Sequence, residues 1–197
     1  MNDQKTLQVY AEKASDYAAL TEDFNATDPG LQAFIAAMPA GGHVLDLGCG
    51  PGAAAAQMAK AGLSVDAYDP VPQMVDLARR HPGVDAQLAG FDDVSGVAVY
   101  DGIWANFSLL HARRAELPGH LGRIARALKP GGRFHIAVKT GTGEDRDNLG
   151  RFYTYYMEPE LTGLLEDAGL TVSDRREGCD RGLSGKKEPW IALVAHA

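Results

Sequence analysis

Nine consecutive residues, Val44-Leu45-Asp46-Leu47-Gly48-Cys49-Gly50-Pro51-Gly52, constrain this chain more than any other stretch. His43 to Leu47 is a short apolar strand, Gly48 to Gly52 is a turn, and 53–61 reads as an alanine-rich helix capped by Gly62. Three closely spaced glycines between a strand and a helix bring bare backbone close to a ligand. The other use of such a turn is a tight strand-to-helix connection with no ligand. No GxxxxGK[ST] run is present, which argues against a triphosphate cradle.

The remainder alternates strand-like and helix-like segments, the pattern of a mostly parallel sheet with helices on both faces. Residues 3–20 read as one amphipathic helix with Leu7, Tyr10, Ala14 and Tyr17 on one side. A second helix spans 29–38, with Asp28 as N-cap and Pro29 at its first position. Strands follow at 63–68, 84–88, 99–104 and 133–139. Helices are expected from Pro72 to about Arg80, from Arg113 to Leu128 and from Pro159 to Ala168, with closing strands at 170–176 and 190–196. Residues 140–157 are Gly-rich, charged and aromatic, and read as a long loop. A loop of that length in a compact domain is usually a functional lid or disordered.

At 197 residues the chain fits one domain, 1–197, with 1–40 as an N-terminal helical cap and 140–157 as a lid. The formal net charge of −7 and the scattered basic pairs argue against nucleic acid as partner. Cys49 and Cys179 form no CxxC pair, so neither a disulfide framework nor a metal site is expected. No apolar run approaches the ~20 residues of a membrane span, and the N-terminus lacks the pattern of a secretion signal, so a cytoplasmic protein is expected.

Two carboxylates sharpen the reading of the turn. Asp46 sits just before the glycines, where a carboxylate can meet a cationic ligand such as the amino-acid end of S-adenosylmethionine (SAM) and would repel a phosphate. Asp69 ends the second strand, 21 residues after Gly48, where an acid can accept from both hydroxyls of a ribose. The alternative for Asp69 is an N-cap or turn role before Pro70.

With these residues, the sequence resembles the class I SAM-dependent methyltransferases. The resemblance runs from Val44 to Gly52, through Asp69 and Phe91-Asp92, to Leu128-Lys129-Pro130-Gly131-Gly132. It implies a Rossmann-like α/β fold with a seven-stranded, mostly parallel sheet whose last strand is antiparallel. More narrowly, the chain is similar to a group of small bacterial methyltransferases that includes tellurite-resistance-like members. That likeness rests on Tyr10-x3-Ala14-x2-Tyr17, Asp101 to Ala105, Ser108 to His111, Lys139-x-Gly141-x-Gly143-Glu144, Arg151-Phe152 and Trp190.

By this resemblance Gly48, Gly50 and Gly52 line the methionine part of SAM, Asp69 holds the ribose, Phe91 packs on the adenine and Asp92 accepts from its amino group. Asn106 lies beside the methionine, and Tyr10 and Tyr17 close the pocket from the N-terminal helix. Cys49, Pro70, Met74, Phe107 and His111 complete the expected cofactor lining. Gly90-Phe91-Asp92-Asp93 leaves open which aspartate meets the adenine.

Methyl transfer is an in-line displacement, so the protein chiefly orients the reactants and excludes water. A base is needed only if the acceptor must lose a proton. The candidate base is His111, just past the fourth strand; capping the next helix or packing beside Leu110 is the commoner use of such a histidine. Tyr153, Tyr155 and Tyr156 could line an aromatic acceptor site or simply pack the lid, and Tyr156 is the second candidate catalytic residue. Lys139 and Arg151 could bind an anionic acceptor or pair with Glu144 and Asp145. The expected activity is methyl transfer from SAM to a small molecule by a monomer or homodimer. The alternatives are an NAD-dependent oxidoreductase, which Gly48-x-Gly50-x-x-Ala53 and Asp69 loosely suit, and a SAM-binding protein without turnover.

Overall fold

The computed structural model describes residues 3–197, apart from the side chains of 22–26. Met1 and Asn2, at the start of the expected cap, lie outside the described residues. Helices α1 (Gln4–Glu12), α2 (Ala14–Thr27) and α3 (Pro29–Ala36) precede β1 (His43–Leu47), α4 (Ala53–Lys60), β2 (Ser64–Asp69), α5 (Pro72–Ala78) and β3 (Val84–Leu88). Then come β4 (Tyr100–Asn106), α6 (Leu117–Ala127) and β5 (Leu128–Lys139). A small ribbon, β6 (Glu144–Arg146) with β7 (Phe152–Thr154), leads to α7 (Glu158–Asp167) and the hairpin of β8 (Thr171–Arg181) and β9 (Lys187–His196).

The seven-stranded sheet has the order β3-β2-β1-β4-β5-β9-β8. Its first five strands are mutually parallel, and β9 runs antiparallel to both of its neighbours. This is the expected Rossmann-like methyltransferase sheet with its antiparallel last strand.

Strand alternation decides which core each residue joins. Leu45 and Leu47 of β1 and Ile103 and Ala105 of β4 face a core completed by Leu121 and Ile124 of α6 and Leu161 and Leu165 of α7. Val44 and Trp104 face the other way, onto Leu31 and Phe34 of α3 and Ala55 and Met58 of α4. Asp46 shares that second parity and stands beside Trp104 in the register. A carboxylate is thereby placed under the start of α4. No helix among the described residues is long and apolar enough to cross a membrane.

Several boundaries differ from the sequence reading. The helix expected over 3–20 breaks at Lys13, whose φ of −109° and ψ of 18° interrupt the helical run. Leu7, Tyr10, Ala14 and Tyr17 still share a side and pack with Val71 and Met74. Helix α6 starts at Leu117 rather than Arg113, because Pro118 suits a first helical turn. Helix α6 ends at Ala127, and Leu128 to Gly132 already belong to β5, which shifts register there against β4. Residues 140–157 are not irregular throughout, since they contain the β6–β7 ribbon and a bridge between Thr140 and Tyr156. The last two strands extend well beyond 170–176 and 190–196 as a projecting hairpin.

Candidate active site

The glycine turn leaves β1 at the carboxyl edge of the sheet, where open α/β sheets bind their ligands. Gly48, Gly50 and Gly52 all hold left-handed φ values, of 79°, 53° and 84°. Gly48 and Cys49 donate their N–H groups to Tyr68 O at 2.8 and 3.0 Å, which ties the turn to β2. A Cβ on Gly48 would lie 2.3 Å from that of Ser108, whose hydroxyl donates to Leu47 O at 2.6 Å. Gly52 is a packing glycine, because its Cβ would meet Ala78 at 2.8 Å. Of the three, Gly48 and Gly50 face the cavities.

The two carboxylates are buried beside this turn. Asp69 Oδ2 accepts from Gly50 N and Oδ1 from Val71 N, both at 2.9 Å. Each oxygen keeps a further lone pair. Burial pushes the Asp69 carboxyl up to about 6, against these hydrogen bonds. Asp46 is less well served: Ala55 N–H, in the first turn of α4, supports the carboxylate, yet Oδ2 has no partner. Burial, with Asp69 adding repulsion, pushes Asp46 up to about 7. An unpartnered buried carboxylate oxygen is costly unless a donor or cation reaches it.

Two small cavities share Tyr17, Gly48, Gly50, Asn106 and Phe107. One, of about 40 Å³, reaches Asp69, Met74, Tyr10 and His111. The other, of about 90 Å³, reaches Asp46, Cys49 and Thr21. Burial raises the Cys49 thiol pKa, which leaves it protonated.

A larger chamber of about 290 Å³ adjoins them across Tyr10, Tyr17 and Phe107. Phe107 has a φ of 55°, an uncommon conformation for a bulky residue, and borders all of these spaces. Its ring meets Trp190 edge-on with centroids 6.0 Å apart. Tyr153 and Leu110 also line the chamber, with Lys139 and Arg151.

A buried polar chain joins the N-terminal helices to the β6–β7 ribbon. Asp147 accepts from Arg151 Nη2 at 2.7 Å and from Nε at 3.0 Å. Arg151 Nη1 donates to Tyr10 Oη at 2.9 Å, and Tyr10 Oη lies 2.9 Å from His111 Nε2. His111 Nδ1 is 2.5 Å from Phe152 O, which can only accept, so Nδ1 carries the proton and Nε2 accepts from Tyr10. Burial pushes His111 down to about 3 and keeps it neutral. Thr6 of α1 accepts from Phe152 N at 2.8 Å, and Asp3 takes two donors from Arg146.

The structure thus brings Tyr10, Tyr17, Asp46, Gly48, Cys49, Gly50, Asp69, Met74, Asn106, Phe107 and His111 together. Gly52, Pro70, Phe91 and Asp92 do not line these cavities. Phe91 is buried in the main core, edge-on to His120, and Asp92 is half-exposed and pairs with Arg123 at 3.3 Å. Asp93 is spent on its own turn, accepting from Gly90 N at 2.7 Å.

Tyr156 also stands apart. It is fully buried in the core beneath Arg114, whose guanidinium carbon is 4.7 Å from the ring centre. Tyr153, within β7, lines the chamber, whereas Tyr156 lies beyond the strand's end at Thr154, bridged to Thr140 and packed in the core. Lys139 and Arg151 pair with Glu188 and Asp147, not with Glu144 and Asp145. Sequence reasoning missed Ser108, Val71, Leu110, Asp180 and Glu188 as neighbours of the site. Only Ser108, in the segment just after β4, carried a local signal.

Comparisons with known proteins identify the family. A methyltransferase-domain family profile matches residues 44–132. The chain is 35% identical to an S-adenosyl-L-methionine-dependent Diels-Alderase of Talaromyces variabilis, over 80% of this chain and 63% of that protein. It is 31% identical to a ubiquinone biosynthesis O-methyltransferase of Xanthomonas oryzae pv. oryzae, over 77% of this chain and 69% of that protein. It therefore spans about two thirds of the length of these curated relatives. Among solved structures, it resembles the 1,6-didemethyltoxoflavin-N1-methyltransferase of Burkholderia thailandensis, with a TM-score of 0.71 and 26% identity over 96% of this chain and 87% of the other. That protein was solved with 1,6-didemethyltoxoflavin and S-adenosylhomocysteine bound. Fold, glycine turn and relatives converge: the chain belongs to the class I SAM-dependent methyltransferase family.

Proposed function

We propose that this chain binds SAM across the paired cavities at the glycine turn and transfers its methyl group to a small molecule in the adjoining chamber. The observation that carries the reading is the unpartnered Asp46 Oδ2, buried beside left-handed Gly48 and Gly50. An α-ammonium there would supply the missing partner, whereas the pyrophosphate of NAD would meet a carboxylate. Asp69 would accept from the ribose hydroxyls through its free lone pairs. Asn106 and Cys49 would flank the methionine portion, and Met74 the adenine side. Tyr17 now stands between the two small cavities, and a shift of α2 would join them.

When bound, SAM supplies an electrophilic methyl carbon: the acceptor's lone pair forms the new bond, and the C–S electron pair returns to sulfur as S-adenosylhomocysteine (SAH) leaves. The protein's own part is positional. Phe107, Tyr10 and Tyr17 separate the donor cavities from the chamber and would keep water from the methyl group. His111 is held neutral with both ring nitrogens engaged, so it positions Tyr10 and is not poised as a strong base. The O–H or N–H proton displaced from the acceptor leaves to water at the open side of the chamber. The narrower likeness to tellurite-resistance enzymes would require a small oxyanion, which the aromatic chamber and its paired cations suit poorly.

Incubation with SAM carrying a CD3 methyl group and a panel of small phenols and heteroaromatics tests the reading. SAH release coupled to one CD3 addition per turnover supports it. Tight SAM binding with no label transferred favours a second reading, in which SAM is held without being consumed. The similarity to a SAM-dependent Diels-Alderase and the lack of a poised base at His111 give that reading its basis.

A further inference from the structure

We infer that the chamber selects an uncharged aromatic acceptor, and that Glu188 enforces this selection by neutralising Lys139. The inference rests on the methyl-transfer reading above and deepens it.

The chamber wall is built from flat rings. Phe107, Tyr153, Trp190 and Tyr17 contribute aromatic surface, and Leu110 and Leu183 fill between them. Such rings favour stacked or edge-on contact with another ring over contact with a saturated skeleton. Within this wall each sheltered cation already has a carboxylate. Lys139 Nζ is 2.5 Å from Glu188 Oε2 and sits 3.7 Å from the centre of the Tyr153 ring. Burial draws the Lys139 ammonium below its ordinary pKa while Glu188 opposes that shift. Arg151 is held by Asp147, and its remaining nitrogen donates to Tyr10. Arg181, at the exposed rim, donates to Gly185 O at 2.9 Å, and Asp180 accepts from Trp190 Nε1 at 2.6 Å.

An anionic acceptor therefore finds, among the described residues, no unpaired cation deeper than Arg181 at the exposed rim. It would have to displace Glu188 from Lys139, or Asp147 from Arg151, and strand the displaced carboxylate in a sheltered site. An uncharged ring buries the same apolar surface without that penalty. Glu188 is the replaceable part of this arrangement. It lies on the projecting end of β9 and is partly open to solvent, whereas Asp147 is buried with its arginine.

The experiment is calorimetric titration at pH 7.5 with three probes of matched size: 2-naphthol, 2-naphthoate and decahydro-2-naphthol. SAH is titrated first, and the probes are then titrated into the SAH-loaded protein. The expected result is that 2-naphthol binds at least about tenfold more tightly than either other probe. Glu188→Gln frees the Lys139 ammonium and should raise 2-naphthoate affinity about tenfold while leaving 2-naphthol within about twofold. Lys139→Met, which leaves Glu188 unpaired, should weaken 2-naphthoate further and provides the opposite sign should Glu188→Gln fold poorly. Equal or tighter binding of 2-naphthoate to the unmodified protein overturns the inference. So does equal binding of the saturated alcohol, failure of all three probes on SAH-loaded protein, or no change in naphthoate affinity in a folded Glu188→Gln protein. If SAH itself fails to bind, the methyl-transfer reading falls and takes this inference with it; SAH binding with a naphthoate preference removes the inference alone.

Discussion

Replacing Asp46 with asparagine should make the ligand-free protein more stable at pH 8 while removing most of its affinity for SAH. Asp46 is 3% exposed, and burial raises its carboxyl from 3.8 to about 7. Below pH 3.8 the group is protonated in both folded and unfolded chains and contributes no pH dependence. Between pH 4 and 7 the unfolded chain releases a proton that the folded one keeps, so stability falls as pH rises. Above pH 7 the full difference applies, about three pK units or ~4 kcal/mol. An amide escapes that penalty, and its oxygen can keep the hydrogen bond from Ala55 N–H. Its NH2 group is then buried without an evident acceptor, a cost of ~1–3 kcal/mol, which leaves a net gain of roughly 2 kcal/mol. Denaturant unfolding of both proteins from pH 5 to pH 8 measures the difference, which should grow with pH. Calorimetry with SAH at pH 8 should show a loss of at least about thirtyfold, because the ligand ammonium loses its counter-charge. In the unmodified protein SAH affinity should drop about tenfold from pH 8 to pH 6, as Asp46 protonates. A Asp46→Asn protein less stable than its parent at pH 8, or a stability difference that ignores pH, would refute the reasoning.

Other substitutions separate binding from packing. Asp69→Ala strands Gly50 N and Val71 N as well as the ribose hydroxyls, and should weaken SAH by ~1–3 kcal/mol in the same calorimeter. Gly48→Ala forces a left-handed alanine against Ser108 and should lower stability by ~2 kcal/mol or more, whereas Gly122→Ala, in exposed helix with no neighbour within 4 Å, should raise it by ~0.5–1 kcal/mol. Tyr156→Ala should cost ~3–5 kcal/mol of unfolding free energy as a core truncation, read from the denaturation midpoint. Full stability in that variant with selective loss of turnover would return Tyr156 to the reaction.

Much of the candidate site's geometry was legible because it depends on local chemistry. Only glycine serves easily at the left-handed positions of the turn, and strand alternation sets Asp46 on the α4 side. The helical period of Leu7, Tyr10, Ala14 and Tyr17 survives the break at Lys13, so the two tyrosines reach the cavities together. What was hidden depends on distant pairing. Lys139 has Glu144 nearby in sequence but meets Glu188 across the β5–β9 pairing. Arg151 takes Asp147, four residues earlier, because the β6–β7 ribbon folds back on itself. The outer half of the β8–β9 hairpin is polar and exposed, so no hydrophobic pattern announced it, and with it went Asp180 and Glu188. Phe91 and Asp92 were assigned to the adenine by resemblance alone, and packing gives them to the core and to Arg123.

Parallel calorimetric titration of the protein with SAH and with NADH at pH 8 tests the central claim most directly. Micromolar SAH binding with none for NADH is the predicted result. NADH binding without SAH binding would contradict the assignment of the glycine turn and of Asp46 to an adenosyl amino acid.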